Sequence, residues 1–222
     1  MFQTVLYTSL ITTAEGVAGV AVTFRDKPFS QACENNKAPI FALLAPLLQD
    51  KTHLLEIGSG TGQHAAWFAP QLPHLIWQTS DLSENHAGIL RWLEAYPSTN
   101  LRAPIELNVA QTGWPNGTID AVYTANTAHI MAWQEVQAMF QLVSSNLPAN
   151  GIFCLYGPMK YAGKHSSESN RIFGQRLREG FAHRGIREFH EINQLALSGD
   201  LILLDDHAMP ANNRLLIWQK ST

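Results

Sequence analysis

Cysteine is scarce in this sequence, and so are the spacings by which proteins hold metal ions. The 222 residues include two cysteines, Cys33 and Cys154, which form no C-x-x-C pair. The nine histidines show neither H-x-H nor H-x-x-x-H spacing. We therefore expect no disulfide framework and no metal site, and we expect both thiols to lie in the reducing environment of the cytoplasm.

A strong excess of one charge and a long uninterrupted apolar run are lacking as well. The net charge is −3 and the isoelectric point is near 6.3, so nothing indicates a nucleic acid or an anionic membrane surface as a partner. Residues 1–24 carry one charge, Glu15, but five threonines interrupt their apolar residues and no basic segment precedes them. This pattern fits neither a signal peptide nor a membrane span.

The composition is that of a folded domain, because 45% of the residues are hydrophobic and 15% are charged. We divide the chain into an N-terminal extension, 1–28, and one domain, 29–222. Within the extension, 4–12 and 17–24 are rich in β-forming residues and predict a hairpin arm, for which a frayed tail is the alternative. The exposed edge of such a hairpin would be a contact for a homodimer.

The domain is organised around a strand, a glycine-rich turn and a helix. An apolar run over 53–57 predicts the strand, and residues 65–69 predict the first turns of the helix. Three glycines stand at alternate positions between them, at Gly58, Gly60 and Gly62. Glycines let a backbone turn sharply and let a ligand approach where a Cβ would collide, so the turn predicts a site for a nucleotide-like cofactor.

The spacing of the glycines distinguishes between cofactors. A dinucleotide fingerprint is G-x-G-x-x-G, whereas here the third glycine comes one residue earlier and Glu56 stands two residues before the first. The pattern E-x-G-x-G-x-G resembles motif I of class I S-adenosylmethionine-dependent methyltransferases. That cofactor carries an ammonium and a sulfonium rather than a phosphate, which suits a carboxylate at the end of the strand.

Strands and helices alternate along the rest of the domain. We predict strands over 52–57, 75–79, 104–109, 119–126, 151–158, 201–208 and 214–218. The fold class is therefore α/β: a doubly wound, Rossmann-like class I methyltransferase sheet of seven strands, the last of them antiparallel.

Ligands in such sheets bind at the carboxyl ends of the strands, and polar residues follow several of the predicted strands. Asp81, after strand two, would accept both ribose hydroxyls, although capping of the next helix is a rival role that Ser83 can also fill. Asn108 and Val109 end strand three and would contact the adenine edge and face. Asn126 ends strand four and would also contact the cofactor.

Two other segments are candidates for the acceptor site. Before the first strand, Ser30 predicts the cap of one helical turn and Pro39 predicts the start of a second helix. Asn36 and Lys37 lie between this turn and this helix, and they would either line the pocket or be solvated. Seven of the fifteen lysines and arginines fall within 160–187, which predicts either a solvated helix face or a surface for an anionic substrate.

From 29 to 220 the chain resembles an uncharacterised methyltransferase-like family, through six motifs. They are Asn36-Lys37-x-Pro39-Ile40, Glu56-x-Gly58-x-Gly60-x-Gly62-x-His64, Asn126-Thr127-Ala128-His129-Ile130, Tyr156-Gly157-Pro158, Ser167-Glu168-Ser169-Asn170 and Met209-Pro210-Ala211-Asn212-Asn213. Two positions depart from the family pattern, which has aspartates where this chain has Gly174 and Glu188.

The sequence therefore predicts S-adenosylmethionine-dependent methyl transfer to a small-molecule acceptor. The resemblance and the strand ends together give the following site residues: His129 and Tyr156 as catalytic; Glu56, Gly58, Ser59, Gly60, Gly62, Asp81, Asn108, Val109 and Asn126 for the cofactor; Asn36, Lys37, Ser169, Asn170, Asn212 and Asn213 for the acceptor. A non-catalytic protein that binds S-adenosylmethionine is one alternative, and a nucleotide-linked dehydrogenase is another.

Overall fold

A computed structural model of the chain describes residues 27–222. The predicted N-terminal hairpin and the dimer contact along its edge lie outside these residues. Within 27–222, no helix combines the length and the apolar character that crossing a bilayer requires.

The described chain forms six α-helices and ten strands. The helices are α1 (Gln31–Leu47), α2 (Gln63–Phe68), α3 (His86–Ala95), α4 (Trp133–Asn146), α5 (Glu168–Gly180) and α6 (Phe189–Ser198). The strands are β1 (His53–Ile57), β2 (Ile76–Asp81), β3 (Leu101–Glu106), β4 (Ala121–Ala125), β5 (Ile152–Gly157), β6 (Met159–Tyr161), β7 (Lys164–His165), β8 (Arg187–Glu188), β9 (Leu201–Met209) and β10 (Asn213–Lys220).

Seven of the strands form one twisted sheet in the order β3-β2-β1-β4-β5-β10-β9. Neighbouring strands from β3 to β5 are parallel, whereas β10 is antiparallel to both β5 and β9. The predicted fold class, a Rossmann-like methyltransferase sheet whose last strand is antiparallel, is confirmed. The three short strands β7, β6 and β8 form a small second sheet that the sequence did not predict.

Successive side chains of a strand point to opposite faces, and both faces of this sheet are covered. Leu54 and Trp77 belong to one core, together with Ile40 of α1 and Phe68 of α2. The core on the opposite face contains Leu55, which follows Leu54 in β1. It packs there with Val136 and Phe140 of α4 and Ile192 of α6. The alternation explains why the central strands are apolar almost without interruption.

The segment before β1 differs from its prediction. We expected a short helical turn and a second helix starting at Pro39, but α1 is one helix and Pro39 lies inside it. Proline lacks the N–H that would bond the carbonyl four residues earlier, yet burial of Ile40 and Leu44 holds the helix together across that gap. The predicted cap is confirmed, since the Ser30 side chain accepts a hydrogen bond from the backbone N–H of Cys33.

Strand three is displaced by three residues from its predicted position. It runs over Leu101–Glu106 rather than 104–109, and Pro104 lies within it. Proline cannot donate to a neighbouring strand, which is tolerated here because β3 is at the edge of the sheet. Asn108 and Val109 consequently lie in the loop after the strand instead of at its tip.

A buried asparagine closes the connection between α2 and β2. The Asn100 amide nitrogen lies 2.8, 2.9 and 2.7 Å from the carbonyl oxygens of Ala69, Leu72 and Leu75, and the residue is 6% exposed. The Ala69 and Leu72 carbonyls each accept one further hydrogen bond, from the backbone N–H groups of Leu72 and Leu75, so the Asn100 side chain joins three carbonyls of a buried turn.

We expect Asn100→Asp to lower the free energy of unfolding by about 2–3 kcal/mol, because an acceptor then faces three buried carbonyl oxygens. Urea denaturation followed by circular dichroism would measure the change. Asn146→Asp is the matched control, since the exposed Asn146 amide donates to the single carbonyl of Leu142; we expect it to lower stability by less than about 1 kcal/mol. Equal losses in both variants would contradict the structural role of Asn100.

Candidate functional site

The glycine-rich turn after β1 is attached to strand β2. The backbone N–H groups of Gly58 and Ser59 both donate to the Ser80 carbonyl, with N–O distances of 3.0 and 2.9 Å. Ser80 in turn donates its hydroxyl to the Glu56 carbonyl at 2.7 Å. The turn is thereby fixed at the carboxyl ends of β1 and β2, where the sequence predicted the cofactor site.

Gly60 and Gly62 serve different purposes in this turn. Both have left-handed backbones, with φ of 58° at Gly60 and 86° at Gly62. A Cβ on Gly62 would lie 3.0 Å from the Ile89 Cα, so this glycine lets α2 and α3 approach each other. A Cβ on Gly60 would meet no atom within 4 Å, because this residue faces an open cavity.

Glu56 is a buried carboxylate at the end of β1, 2% exposed. Its Oε2 accepts hydrogen bonds from the Trp77 indole and the Ser59 hydroxyl, each at 3.0 Å, whereas its Oε1 has no partner among residues 27–222. Burial raises the pKa of Glu56 to about 7, mainly by desolvation, and the charge of Asp81 contributes a smaller increase. A cation placed at Oε1 would favour the ionised form.

Asp81 accepts three hydrogen bonds around the same turn. Its Oδ2 accepts from the Gly60 N–H at 2.7 Å, and its Oδ1 accepts from the Leu82 N–H at 2.8 Å and from the Asn85 amide at 2.7 Å. Ser83 is not the helix cap that we predicted: it lies in a 3-10 turn before α3, and Asp81 holds that turn. A carboxylate has about four acceptor positions, so Asp81 retains acceptor capacity toward a ligand.

Asn126 and His129 lie on the other side of the same sheet edge, after β4. Asn126 has a left-handed backbone, with φ of 61°, and no hydrogen bond of its side-chain amide to another described residue. His129 is 7% exposed, and burial together with the charges of Arg187 and Arg184 lowers its pKa to about 4. His129 is therefore neutral at pH 7, and its ring nitrogens have no partner among the described side chains.

These residues surround one cavity of about 950 Å³, a size typical of small-molecule sites. Twelve of the seventeen predicted site residues line it: Glu56, Gly58, Ser59, Gly60, Asp81, Asn108, Val109, Asn126, His129, Ser169, Asn170 and Asn213. Asn36, Lys37, Gly62, Tyr156 and Asn212 do not line it. The topology thus brings most of the predicted residues together, while their roles remain predictions.

The residues outside the cavity belong to its supporting structure. Asn36 accepts from the His64 ring at 2.7 Å, and the other nitrogen of His64 lies 3.2 Å from the Tyr123 hydroxyl. Tyr156 is 2% exposed and packs in the core formed by α1 and α2, and burial raises its pKa. Lys37 forms an ion pair with Glu34. This placement gives no support to Tyr156 as a base or to Lys37 as a ligand.

Two of the quoted motifs contact each other at the cavity wall. The Asn170 amide donates to the Asn212 carbonyl at 2.9 Å and to the Ser166 hydroxyl at 2.8 Å. Ala211 and Asn212 both have left-handed backbones, with φ of 56° and 57°. Asn170 therefore secures a strained turn between β9 and β10, which explains why Asn213 reaches the cavity while Asn212 points toward Ser169, 3.4 Å away.

Sequence reasoning missed several residues that line the cavity. Leu82 is 40% exposed directly after Asp81, and Thr127 follows Asn126. Their position after strand ends was a usable signal. Phe173 and Arg184 also line the cavity, from α5 and from the loop after it. The sequence marked Arg184 only as one of the seven basic residues within 160–187, and no local signal marks Phe173.

The departures from the family pattern have structural explanations. A Cβ on Gly174 would lie 3.0 Å from the His165 Cε1, so the histidine of β7 packs against the glycine of α5. Glu188 accepts a hydrogen bond from the Gly163 backbone at 3.0 Å within the small sheet. Neither residue lines the cavity.

Solved structures with the same fold are methyltransferases by their descriptions. An O-methyltransferase family protein from Burkholderia thailandensis is 14% identical, with a TM-score of 0.72. The match covers 84% of this chain and 56% of that protein's chain. An O-methyltransferase from Planctomyces limnophilus in complex with apigenin is 13% identical, with a TM-score of 0.68, and covers 83% of this chain and 61% of its own. The O-methyltransferase NcsB1 of neocarzinostatin biosynthesis, in complex with S-adenosylmethionine and 2-hydroxy-5-methyl naphthoic acid, is 15% identical, with a TM-score of 0.70, and covers 85% of this chain and 54% of its own.

The chain thus spans a little over half the length of these structures, and at such identities the likeness shows the fold alone. A family model gives the closer relationship. The model described as "Protein of unknown function (DUF938)" matches residues 27–220, which is nearly all of the described chain and agrees with the resemblance found in the sequence. The protein belongs to this uncharacterised methyltransferase-like family.

Proposed function

We propose that the protein is an S-adenosylmethionine-dependent methyltransferase that acts on a small-molecule acceptor. The observation that carries this proposal is the buried Glu56 carboxylate, which lines the cavity together with Gly60 and whose Oε1 accepts no hydrogen bond from residues 27–222. A desolvated carboxylate of this kind is stabilised by a bound cation. The methionine portion of the cofactor carries an ammonium and a sulfonium, whereas a pyrophosphate would be repelled.

The other residues around the turn fit the rest of the cofactor. Asp81 retains acceptor capacity for ribose hydroxyls, and Leu82 offers an apolar surface next to it. Asn108 and Val109, in the loop after β3, would bind the adenine edge and face, as the sequence predicted. Asn126 lines the cavity from the same turn as His129, and its unpaired amide can orient either ligand.

Bound S-adenosylmethionine would supply a methyl group on a positively charged sulfur that departs as an uncharged thioether. The protein then has to hold the acceptor close to that methyl group, aligned and shielded from water. His129 is the one predicted catalytic residue that lines the cavity, and its neutral ring can accept the proton of an acceptor hydroxyl. The descriptions of related structures, which name apigenin and naphthoic acids, support small aromatic molecules as acceptors.

We expect the protein to bind S-adenosylhomocysteine, and we expect Gly60→Leu to abolish that binding while the protein stays folded. The new side chain would project into the cavity, and the left-handed backbone would cost about 1–2 kcal/mol of stability. Isothermal titration calorimetry measures the binding, with NAD as a second ligand.

Gly163→Leu is the matched control. Gly163 also has a left-handed backbone, with φ of 76°, and open space around its Cβ position, but it lies outside the cavity. Its variant should suffer a similar loss of stability and keep its affinity. A preference for NAD over S-adenosylhomocysteine would end the methyltransferase proposal, and binding without any turnover of a labelled methyl group would favour a non-catalytic binding protein.

The affinity for S-adenosylhomocysteine should depend on pH through Glu56. In the free protein its pKa is about 7, and the ligand ammonium requires the ionised carboxylate. Below pH 7 the affinity should therefore fall by up to about tenfold per pH unit, because binding must release a proton. Calorimetry between pH 5.5 and about 8.5 would measure this slope, and Glu56→Gln should bind weakly with no slope of this origin.

The same variant has a separate effect on stability without ligand. The pKa of Glu56 is raised on folding, so the folded protein binds more protons than the unfolded chain between about pH 4.5 and 7, and stability falls as the pH rises through this window. We expect Glu56→Gln to be more stable than wild type above pH 7 by about 3 kcal/mol at most. His64 and His129 titrate in both proteins, so the difference between the two curves isolates Glu56. A destabilised variant above pH 7 would contradict the raised pKa.

A further inference from the structure

The cavity has opposite charges at its two ends. Glu56, Asp81 and Glu84 lie at the end formed by the glycine-rich turn and β2. Arg184 lies at the other end, in the loop between α5 and β8, and it is the only lysine or arginine among the described residues that line the cavity. The acidic end is accounted for by the cofactor that we propose, and the basic end is not.

The Arg184 guanidinium is unused within the described chain. Its Nε is fully buried without a hydrogen-bond partner, and its terminal nitrogens make no hydrogen bond and no ion pair within 4 Å to residues 27–222. The Arg184 Cζ lies 4.0 Å from the centroid of the Phe181 ring, a cation–π contact. Glu135 also lines the cavity, but its Oε2 accepts from the Ala132 N–H at 2.6 Å and caps α4. A buried guanidinium donor without an acceptor is costly unless a ligand provides one.

Arg187, in contrast to Arg184, has a structural role between this loop and the turn after β4. Arg187 donates to the carbonyls of Ala128, Met131 and His183 and thereby ties the loop to the turn after β4. The Gly185 N–H donates to the His129 carbonyl at 2.9 Å. Arg184 is thus held rigidly next to His129 by its neighbours while its own donors stay available.

The walls near Arg184 are apolar. Phe173 packs edge-on against the His129 ring, with centroids 5.3 Å apart, and is 39% exposed. Ile130 is 42% exposed and lines the cavity together with Met131. Exposed large apolar side chains around a cavity indicate that a ligand covers them.

We propose, on the basis of the proposed function, that the methyl acceptor is a hydroxylated apolar carboxylic acid whose carboxylate binds Arg184. The carboxylate would accept hydrogen bonds from the planar guanidinium, the ring or chain of the acid would pack on Phe173, Ile130 and Met131, and its hydroxyl would face His129. In the transfer, the hydroxyl oxygen forms a bond to the methyl carbon, the carbon–sulfur bond breaks with its electron pair going to sulfur, and the hydroxyl proton goes to a ring nitrogen of His129.

Binding of a carboxylate to Arg184 would also affect His129, which faces the hydroxyl at the other end of the acceptor. The charges of Arg184 and Arg187 contribute to the low pKa of His129, although burial is the larger cause. A carboxylate bound to Arg184 compensates one of these charges and so makes the imidazole a better proton acceptor when the acid is present. A neutral molecule of the same shape would not have this effect.

The test compares acids with their amides, using protein saturated with S-adenosylhomocysteine. The probes are 4-hydroxybenzoate and 4-hydroxycinnamate, each paired with its carboxamide, and nuclear magnetic resonance titration measures binding. We expect each acid to bind about tenfold to a hundredfold more tightly than its amide, as for a charge-assisted hydrogen bond that replaces a neutral one. Equal affinities, or no saturation by either acid up to about 10 mM, would overturn the proposal.

Variants of Arg184 and Arg176 test which residue causes the preference for acids over amides. Arg184→Met keeps the aliphatic stem and should remove the preference for acids, and Arg184→Lys should restore only part of it, because an ammonium lacks the planar fork. Arg176→Met is the matched control: Arg176 is exposed on α5, lies in the same basic segment and does not line the cavity, so its variant should keep the full preference. A preference that survives in Arg184→Met would assign the anion site elsewhere.

This test and the test of the cofactor fail separately. If S-adenosylhomocysteine binds but acids show no preference over amides, the acceptor class is wrong and the methyltransferase proposal stands. If S-adenosylhomocysteine does not bind, the proposed function fails, and the comparison of acids with amides in the ligand-free protein still decides whether Arg184 binds carboxylates.

Discussion

Two backbone hydrogen bonds to one oxygen, the Ser80 carbonyl, hold the glycine-rich turn against strand β2. The rest of the site depends on this attachment. It brings the ends of β1 and β2 together, so that Glu56 and Asp81 lie on the same side of the turn, and Asp81 then accepts the Gly60 N–H. The Trp77 indole, from the same strand, donates to the Glu56 carboxylate and prevents it from turning away into solvent. The shape of the proposed cofactor site thus depends on contacts between two neighbouring strands.

The carboxyl edge of the sheet carries two chemically different halves of the cavity. Strands β1, β2 and β3 and their loops form an acidic, hydrogen-bonding half of the cavity. The turn after β4 and the loop after α5 form a half that contains apolar side chains, a neutral histidine and an unpaired arginine. Arg187 and the Gly185–His129 hydrogen bond keep these two segments together, although they lie more than fifty residues apart in sequence. Asn126, which has a left-handed backbone, belongs to the turn after β4 and lines the cavity.

Much of this arrangement could be predicted because the signals were local. The glycine spacing, the acidic residue before it and the polar residue after β2 are each read within a few positions, and parallel strands bring their ends to one edge by topology alone. Predictions failed where packing decides the outcome. Burial of Ile40 and Leu44 keeps α1 intact through Pro39, and an edge position admits Pro104 into β3. Ser83 lies in a 3-10 turn that is bonded to Asp81 instead of capping α3. The sequence marked Arg184 only as one of seven basic residues in a segment, and only the folded chain shows that it alone among them lines the cavity.

The position of β10 in the sheet has a consequence for synthesis of the protein on the ribosome. This strand lies between β5 and β9, although it is the last of the seven in chain order. In this sheet β9 pairs with β10 alone, so during synthesis it has no partner until β10 has also left the exit tunnel. The seven-stranded sheet can therefore close only after residue 220 has left the tunnel, and the turn that carries Asn213 to the cavity wall is completed at the same moment. This part of the cavity wall thus forms only after every other strand of the sheet has been made.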